Sequence, residues 1–280
     1  MDTVPARELG RPGREELGAV RFRVLGPVEV VAGDGTAMSS ARRHERLLLA
    51  VLLLETGTTI STERLCQLLW EEEPPPHGHQ TLRTYISRIR ALLTTVRSDA
   101  EPGTALTANQ GGYVLKVTPE SVDAHRFRRL LNEATAATDL SRRDRLLGQA
   151  LRLWRGPALH HAASDRVRQR LCVELEELRL HATVLSLATR LELGRHNEIL
   201  PELARLAGER PVRERLVELH MLALHRQGRT AEALESYRTA RAWLADELGI
   251  EPGQSLHQLH QAILRGSPPD RLDHRGNGSW

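Results

Sequence analysis

Lysine is almost missing from this chain. Lys116 stands alone, so the other basic residues counted among Lys and Arg are arginines. Arginine suits two-point contacts to phosphate, but a G+C-rich genome leaves the same bias, so the bias alone selects no partner. Cysteine is nearly as scarce. Cys66 and Cys172 lie far apart in apolar helical patterns, with no second cysteine or spaced histidine beside either. That excludes a disulfide framework and a zinc site, and leaves two buried thiols in a reducing compartment. No window approaches 18 apolar residues and no short apolar core opens the chain, which argues against a membrane span and a signal peptide; a cytoplasmic location is expected. No Gly-rich phosphate loop with its lysine, no Gly-x-Ser-x-Gly and no carboxylate or histidine cluster with ligand spacing is present, so neither enzyme chemistry, a cofactor nor a metal is implied.

With 280 residues, 40% of them hydrophobic, the chain can build two cores. A formal charge of +3 is too small for binding by net charge, so a nucleic-acid surface would have to come from segregated charge. Such segregation is visible. From Val20 to Val117 there are 11 basic and 10 acidic residues, yet His77 to Ala100 holds Arg83, Arg88, Arg90 and Arg97 against Asp99 alone.

That basic stretch reads as a helix. At 100° per residue Leu82, Tyr85, Ile86, Ile89, Leu92 and Leu93 share an apolar face. Gln80, Thr84, Ser87 and Ala91 run along the opposite face, with Arg83 and Arg88 on its flanks and Arg90 further round. These small or planar groups fit a helix that reads DNA: an arginine fork spans phosphate or guanine O6/N7, Gln pairs with adenine, and small residues let the backbone approach. The competing reading is an amphipathic helix with a solvated basic face.

Its surroundings favour DNA. Residues 1–19 read as a disordered leader, in which Glu8, Glu15 and Glu16 offset the arginines. From Arg21 short alternating segments suggest a small antiparallel sheet turning at Gly33-Asp34-Gly35. Ala41 to Glu55 reads as a helix with Leu47 to Leu54 buried almost all round, ended by Gly57. Ser61 or Thr62 can cap the next helix, which places Trp70 in the core. Glu71-Glu72-Glu73-Pro74-Pro75-Pro76 must be a loop. After the basic helix, Thr104 to Thr107 and Tyr113 to Val117 flank the turn Asn109-Gln110-Gly111-Gly112. Strands, three helices and a hairpin are the order of a winged helix-turn-helix domain, assigned to 20–117. Gln80, Arg83, Thr84 and Ser87 are then the base-edge candidates, with Thr81 beside them in the DNA-contacting set; Arg88, Arg90 and Arg97 are phosphate candidates. Asn109 and Gln110 would tip the wing.

From Asp123 the pattern is helical, with segments at 123–138, 141–154, 165–193, 196–208, 212–227, 230–247 and 253–265. Gly194-Arg195 recurs as Gly228-Arg229, 34 residues later (228 − 194), and Glu198 and Leu200 match Glu232 and Leu234. That is the tetratricopeptide period, and Ala233, Tyr237 and Ala240 fall at its small-large-small packing positions. A helical domain is expected over 118–266, with a flexible tail over 267–280.

Taken together, Phe22 to Val28, Leu65 to Trp70 with Glu73-Pro74-Pro75, Thr81 to Arg90, Gly112-Tyr113, Leu153 to Leu159, Leu175 to Arg179, Gly228-Arg229 with Ala231 to Leu234, and Glu247 to Gly253 resemble the Streptomyces antibiotic regulatory protein family, small type. The resemblance implies an α+β OmpR-like winged-helix domain followed by an all-α tetratricopeptide-like bacterial transcriptional activation domain. It also implies an activator of an antibiotic or other secondary-metabolite gene cluster, bound to direct repeats of double-stranded DNA near the promoter as a head-to-tail dimer, contacting RNA polymerase and its sigma factor. By the same resemblance Glu71, Glu72 and Glu73 either form a solvated turn or face a basic sigma surface. The chain departs from the family in having Ser40 to Arg46 where a Gly-Pro-Lys-Gln-Arg-like run is usual, and in a wing without arginine. Val20 is an alternative start. A different reading makes the helical half a protein-binding scaffold or ligand sensor, with the basic face incidental.

Overall fold

The structure, a computed structural model, describes residues 22–32, 35–71, 74–96 and 104–266. The leader, the Gly33-Asp34 turn, Glu72, Glu73, Arg97 and the tail lie outside the described residues. Contacts divide the chain into two compact units. One holds the chain up to Arg129 together with Arg152–Glu177; the other holds Leu130–Leu151 and the chain from Leu178 onward.

In the first unit, β1 (Phe22–Arg23), β2 (Glu29–Val31) and β3 (Ala37–Met38) form an antiparallel sheet in that order. Helix α1 (Arg43–Leu54) follows, and every residue from Leu47 to Leu53 is buried. This all-round apolar run suits a central helix, packed against α2 (Thr62–Trp70), α3 (Gly78–Val96) and the wing. The wing pairs β5 (Ala105–Asn109) with β6 (Gly112–Lys116) around a two-residue turn. Gln110 and Gly111 both have positive φ, as the tight hairpin turn requires.

Two sequence expectations need correction here. Asn109 and Gly112 pair as strand residues rather than lying in the turn, and β4 (Ile60–Ser61) adds to β6 as a third strand. Two residues are too few to show alternation, so β4 has no signature of its own. Gly112 permits the contact, because a Cβ there would overlap the Ile60 carbonyl. Trp70, expected in the core, is only half-buried, its ring edge-on to His44.

The first sheet is completed by residues far along the chain. Asp123, at the start of α4 (Asp123–Ala136), accepts from the Val24 amide at 2.8 Å and the Leu25 amide at 3.1 Å. The amides of Leu159, Arg155 and His160 donate to the carbonyls of Val24, Leu25 and Gly26. Gly26 has φ +140°, and a Cβ there would lie 3.0 Å from Arg155 Cβ. Burial pushes the Asp123 carboxyl up to about 6, against the opposite pull of its amide donors and of the Arg155 guanidinium.

In the second unit, segments of α4, α5 (Leu140–Arg152) and α6 (Asp165–Glu192) are joined by α7 (His196–Glu209), α8 (Glu214–Arg226), α9 (Thr230–Leu248) and α10 (Gln254–Leu264). The repeat is physical. Gly194 and Gly228 are both left-handed, and each following arginine grips the glutamate three residues on, Arg195 to Glu198 at 2.7 Å and Arg229 to Glu232 at 2.6 Å. Ala233, Tyr237 and Ala240 are buried, as their repeat positions require.

Asp123→Ala leaves the Val24 and Leu25 amides without an acceptor, an expected loss of about 1–3 kcal/mol for each, read as a lower urea midpoint. The folded carboxyl titrates near 6, above an unfolded aspartate at about 3.9. Its stabilising contribution is therefore complete below about pH 4 and is lost as pH rises through about 6. Wild type is expected to lose more stability between pH 5 and 7 than Asp123→Asn, and equal slopes would remove Asp123 as the cause. Gly112→Ala forces β4 from β6 at a cost of about 1–3 kcal/mol. Hydrogen exchange at the Thr62 amide, which donates to Gly111 O, is expected to speed up accordingly.

Candidate nucleic-acid interface

Helix α3 is fixed from below by the side chains its periodicity assigns to the core. Leu82, Ile86, Ile89 and Leu93 are each no more than 4% exposed, while Tyr85 and Leu92 are half-buried at the margins. With that face held, Gln80, Arg83, Thr84 and Ser87 are all exposed. Steps of three or four residues place them along one side of the helix over two turns. Thr81 is half-buried beside them, and the Thr84 hydroxyl donates back to the Gln80 carbonyl at 3.1 Å. Among the described residues nothing pairs with the Arg83 guanidinium or the Ser87 hydroxyl.

The other arginines of this helix are engaged. Arg88 donates to Glu45 at 2.8 Å, and that carboxylate, its side chain only 7% exposed, also accepts from the Ser40 hydroxyl and pairs with Arg42. Arg90 Nε donates to the Leu106 carbonyl at 2.9 Å and so ties α3 to the wing strand β5. Sequence reasoning assigned both to phosphate and did not find Glu45. The available signal was a lone acid on the threshold of an unbroken apolar run, since a charge entering a core needs a partner. Arg88 can meet a phosphate only by sharing or leaving Glu45. Arg90 keeps its terminal nitrogens beyond the bond made by Nε.

The wing is held at its tip. Thr62, one of two cap candidates, donates its hydroxyl to the Gly111 carbonyl at 2.7 Å, whereas Ser61 takes the cap and accepts from the Arg64 amide at 3.1 Å. Asn109 donates to the Thr59 hydroxyl at 2.8 Å, so of the two polar wing residues Gln110 is the one left exposed without a side-chain partner among the described residues. At the other end of α3, Glu71 has φ 56° and lies 3.9 Å from Arg43. His44 sits within 6.3 Å of Trp70 and 6.1 Å of Tyr85, and burial, then Arg43, holds its pKa below the ordinary histidine value. His77 and His79 are exposed, and no group of three or more metal-ligating side chains occurs among the described residues. No described helix is long and apolar enough to cross a membrane.

Comparison with known proteins agrees with this geometry. Residues 38–115 match the family model "Transcriptional regulatory protein, C terminal", and residues 122–264 match "Bacterial transcriptional activator domain". The regulatory protein DnrI of Streptomyces peucetius is 37% identical over 89% of this chain and 93% of its own length. The transcriptional regulator RedD of Streptomyces coelicolor is 35% identical over 90% of this chain and 72% of its own. The regulatory protein AfsR of S. coelicolor is 40% identical over 93% of this chain, which spans only 26% of that longer protein. Among solved structures, Mycobacterium tuberculosis EmbR, in complex with a low-affinity phosphopeptide, superposes with a TM-score of 0.80 at 31% identity, covering 89% of this chain and 66% of EmbR. A helix with one face buried and a polar row exposed, an anchored wing and the helical repeats that follow, matched in order by both models and by DnrI along nearly its whole length, establish that the chain belongs to the Streptomyces antibiotic regulatory protein family of transcriptional activators.

Proposed function

We propose that this protein switches on an antibiotic or related secondary-metabolite gene cluster by binding direct DNA repeats beside its promoter as a head-to-tail pair and recruiting RNA polymerase through the sigma factor. The observation that carries the DNA part is the exposed row Gln80, Arg83, Thr84 and Ser87 on a helix whose opposite face is locked in the core. Such a helix enters the major groove with its N-terminal turns deepest, and the adjoining wing reaches toward the minor groove. In this reading Arg83 reads a base edge, Thr81 and Gln80 lie at the entering turn, and Asn109 and Gln110 form the wing contact. Arg88, Arg90 and Arg97 neutralise phosphates, Arg88 by exchanging Glu45 for the DNA backbone.

The test is a salt-titrated gel shift on the protein's own promoter region with random DNA as competitor. Arg83→Ala is expected to cost about 1–3 kcal/mol on the specific site and to relax preference at one position. Arg88→Ala is expected to weaken all sequences alike and to lower the salt slope by about one charge. Wild type and the Arg83→Ala, Arg88→Ala double variant binding alike, or binding only at low salt, would overturn the reading in favour of a protein scaffold.

The acidic loop Glu71, Glu72 and Glu73 is assigned to a basic surface of the sigma factor. Reversing its charge with three lysines is expected to abolish transcription from the promoter in vitro while DNA affinity stays intact. Unchanged transcription would return the loop to the role of a solvated turn.

A further inference from the structure

Helices α7, α8 and α9 enclose a groove of about 630 Å³ that the reading of DNA leaves unused. Its floor includes Val217 and Leu224 of α8, and its walls carry short side chains, Ala204 and Gly208 on α7 and Ala240 on α9, with half-buried Trp243 also lining it. The charged residues that line it are already neutralised: Glu232 pairs with Arg229 at 2.6 Å and Glu235 with Arg238 at 2.8 Å. A charged guest would give up its hydration and find no free counter-charge. The uncharged polar side chains that line it are His220, Ser236 and Thr239. His220 shares one ring nitrogen with the Ser236 hydroxyl at 3.0 Å, and its other nitrogen has no partner among the described residues. Burial and then Arg229 lower its pKa, so the ring is neutral at pH 7 and offers one uncharged hydrogen-bonding position.

We propose that this groove binds an uncharged, mainly apolar small molecule carrying a hydrogen-bonding group that meets His220. The volume lies within the range of small-molecule sites, which combine apolar walls with a few convergent polar groups. A protein segment fits less well. An extended peptide would bring a donor and an acceptor per residue into walls that can satisfy few of them. The site does not depend on the DNA reading, and its test does not use DNA.

The full-length protein is titrated with the neutral probe N-phenyl-1-naphthylamine and followed by probe fluorescence, beside the variant Gly208→Phe. A Cβ at Gly208 meets no atom within 4 Å and the residue lies in the last turn of α7, so the substitution fills the groove without displacing the helix. An unchanged melting temperature verifies this. Saturable one-to-one binding to wild type, weakened about tenfold or more in Gly208→Phe, is the expected result. No saturable binding, or equal binding to both proteins, would overturn the proposal. So would saturable binding of an apolar 12-residue peptide in the absence of probe binding, which would give the groove to a protein segment instead.

Discussion

The buried carboxylate of Asp123 is the constraint on which the winged-helix unit depends. It accepts from the Val24 and Leu25 amides, and the carbonyls of Val24, Leu25 and Gly26 are taken by amides from the 155–160 segment. A buried backbone group without a partner costs as much as a lost hydrogen bond. Both edges of this short stretch are therefore satisfied by residues that follow the wing in sequence. The segment Phe22 to Val28 and the segment Leu153 to Leu159, both among the residues that carry the family resemblance, meet here as two sides of one interaction. This explains why Arg152–Glu177 belongs to the same compact unit as α3.

Upon that frame α3 is fixed at several points rather than one. Its apolar underside is buried, Arg88 holds Glu45, and Arg90 holds the carbonyl of Leu106. A charge at the edge of the core is tolerated because guanidinium and hydroxyl partners surround it. Rigidity of this kind lowers the ordering cost of binding, since fewer side chains and loops must be immobilised on contact. The wing is treated alike: Thr62, the first residue of α2, and Thr59 before it hold its tip through Gly111 and Asn109, leaving Gln110 and the polar row of α3 exposed.

The helical unit repeats one device. A left-handed glycine ends a helix, the next residue is arginine, and that arginine closes on a glutamate in the first turn of the following helix. Stacking such units buries a continuous core, and the side of α7 and α9 left open by the stack becomes the groove over α8.

What the sequence by itself determined is whatever leaves a local periodic signal. Leu82, Ile86, Ile89 and Leu93 marked the buried face of α3, and the glycine turn marked the wing hairpin. The 34-residue spacing marked the helical repeat, and the apolar run from Leu47 marked the central helix. Each follows from helix or strand geometry acting over neighbouring residues. Tertiary structure alone decided the rest: the two-residue strand at Ile60–Ser61, the half-exposed ring of Trp70, the capture of Arg88 by Glu45 and of Arg90 by Leu106, and the pairing of Asp123 with Val24 and Leu25. These are contacts between residues 16 to 99 positions apart. A guanidinium on a helical face looks the same in sequence whether it awaits a phosphate or already holds a carboxylate, because its partner is chosen by the fold and not by its neighbours.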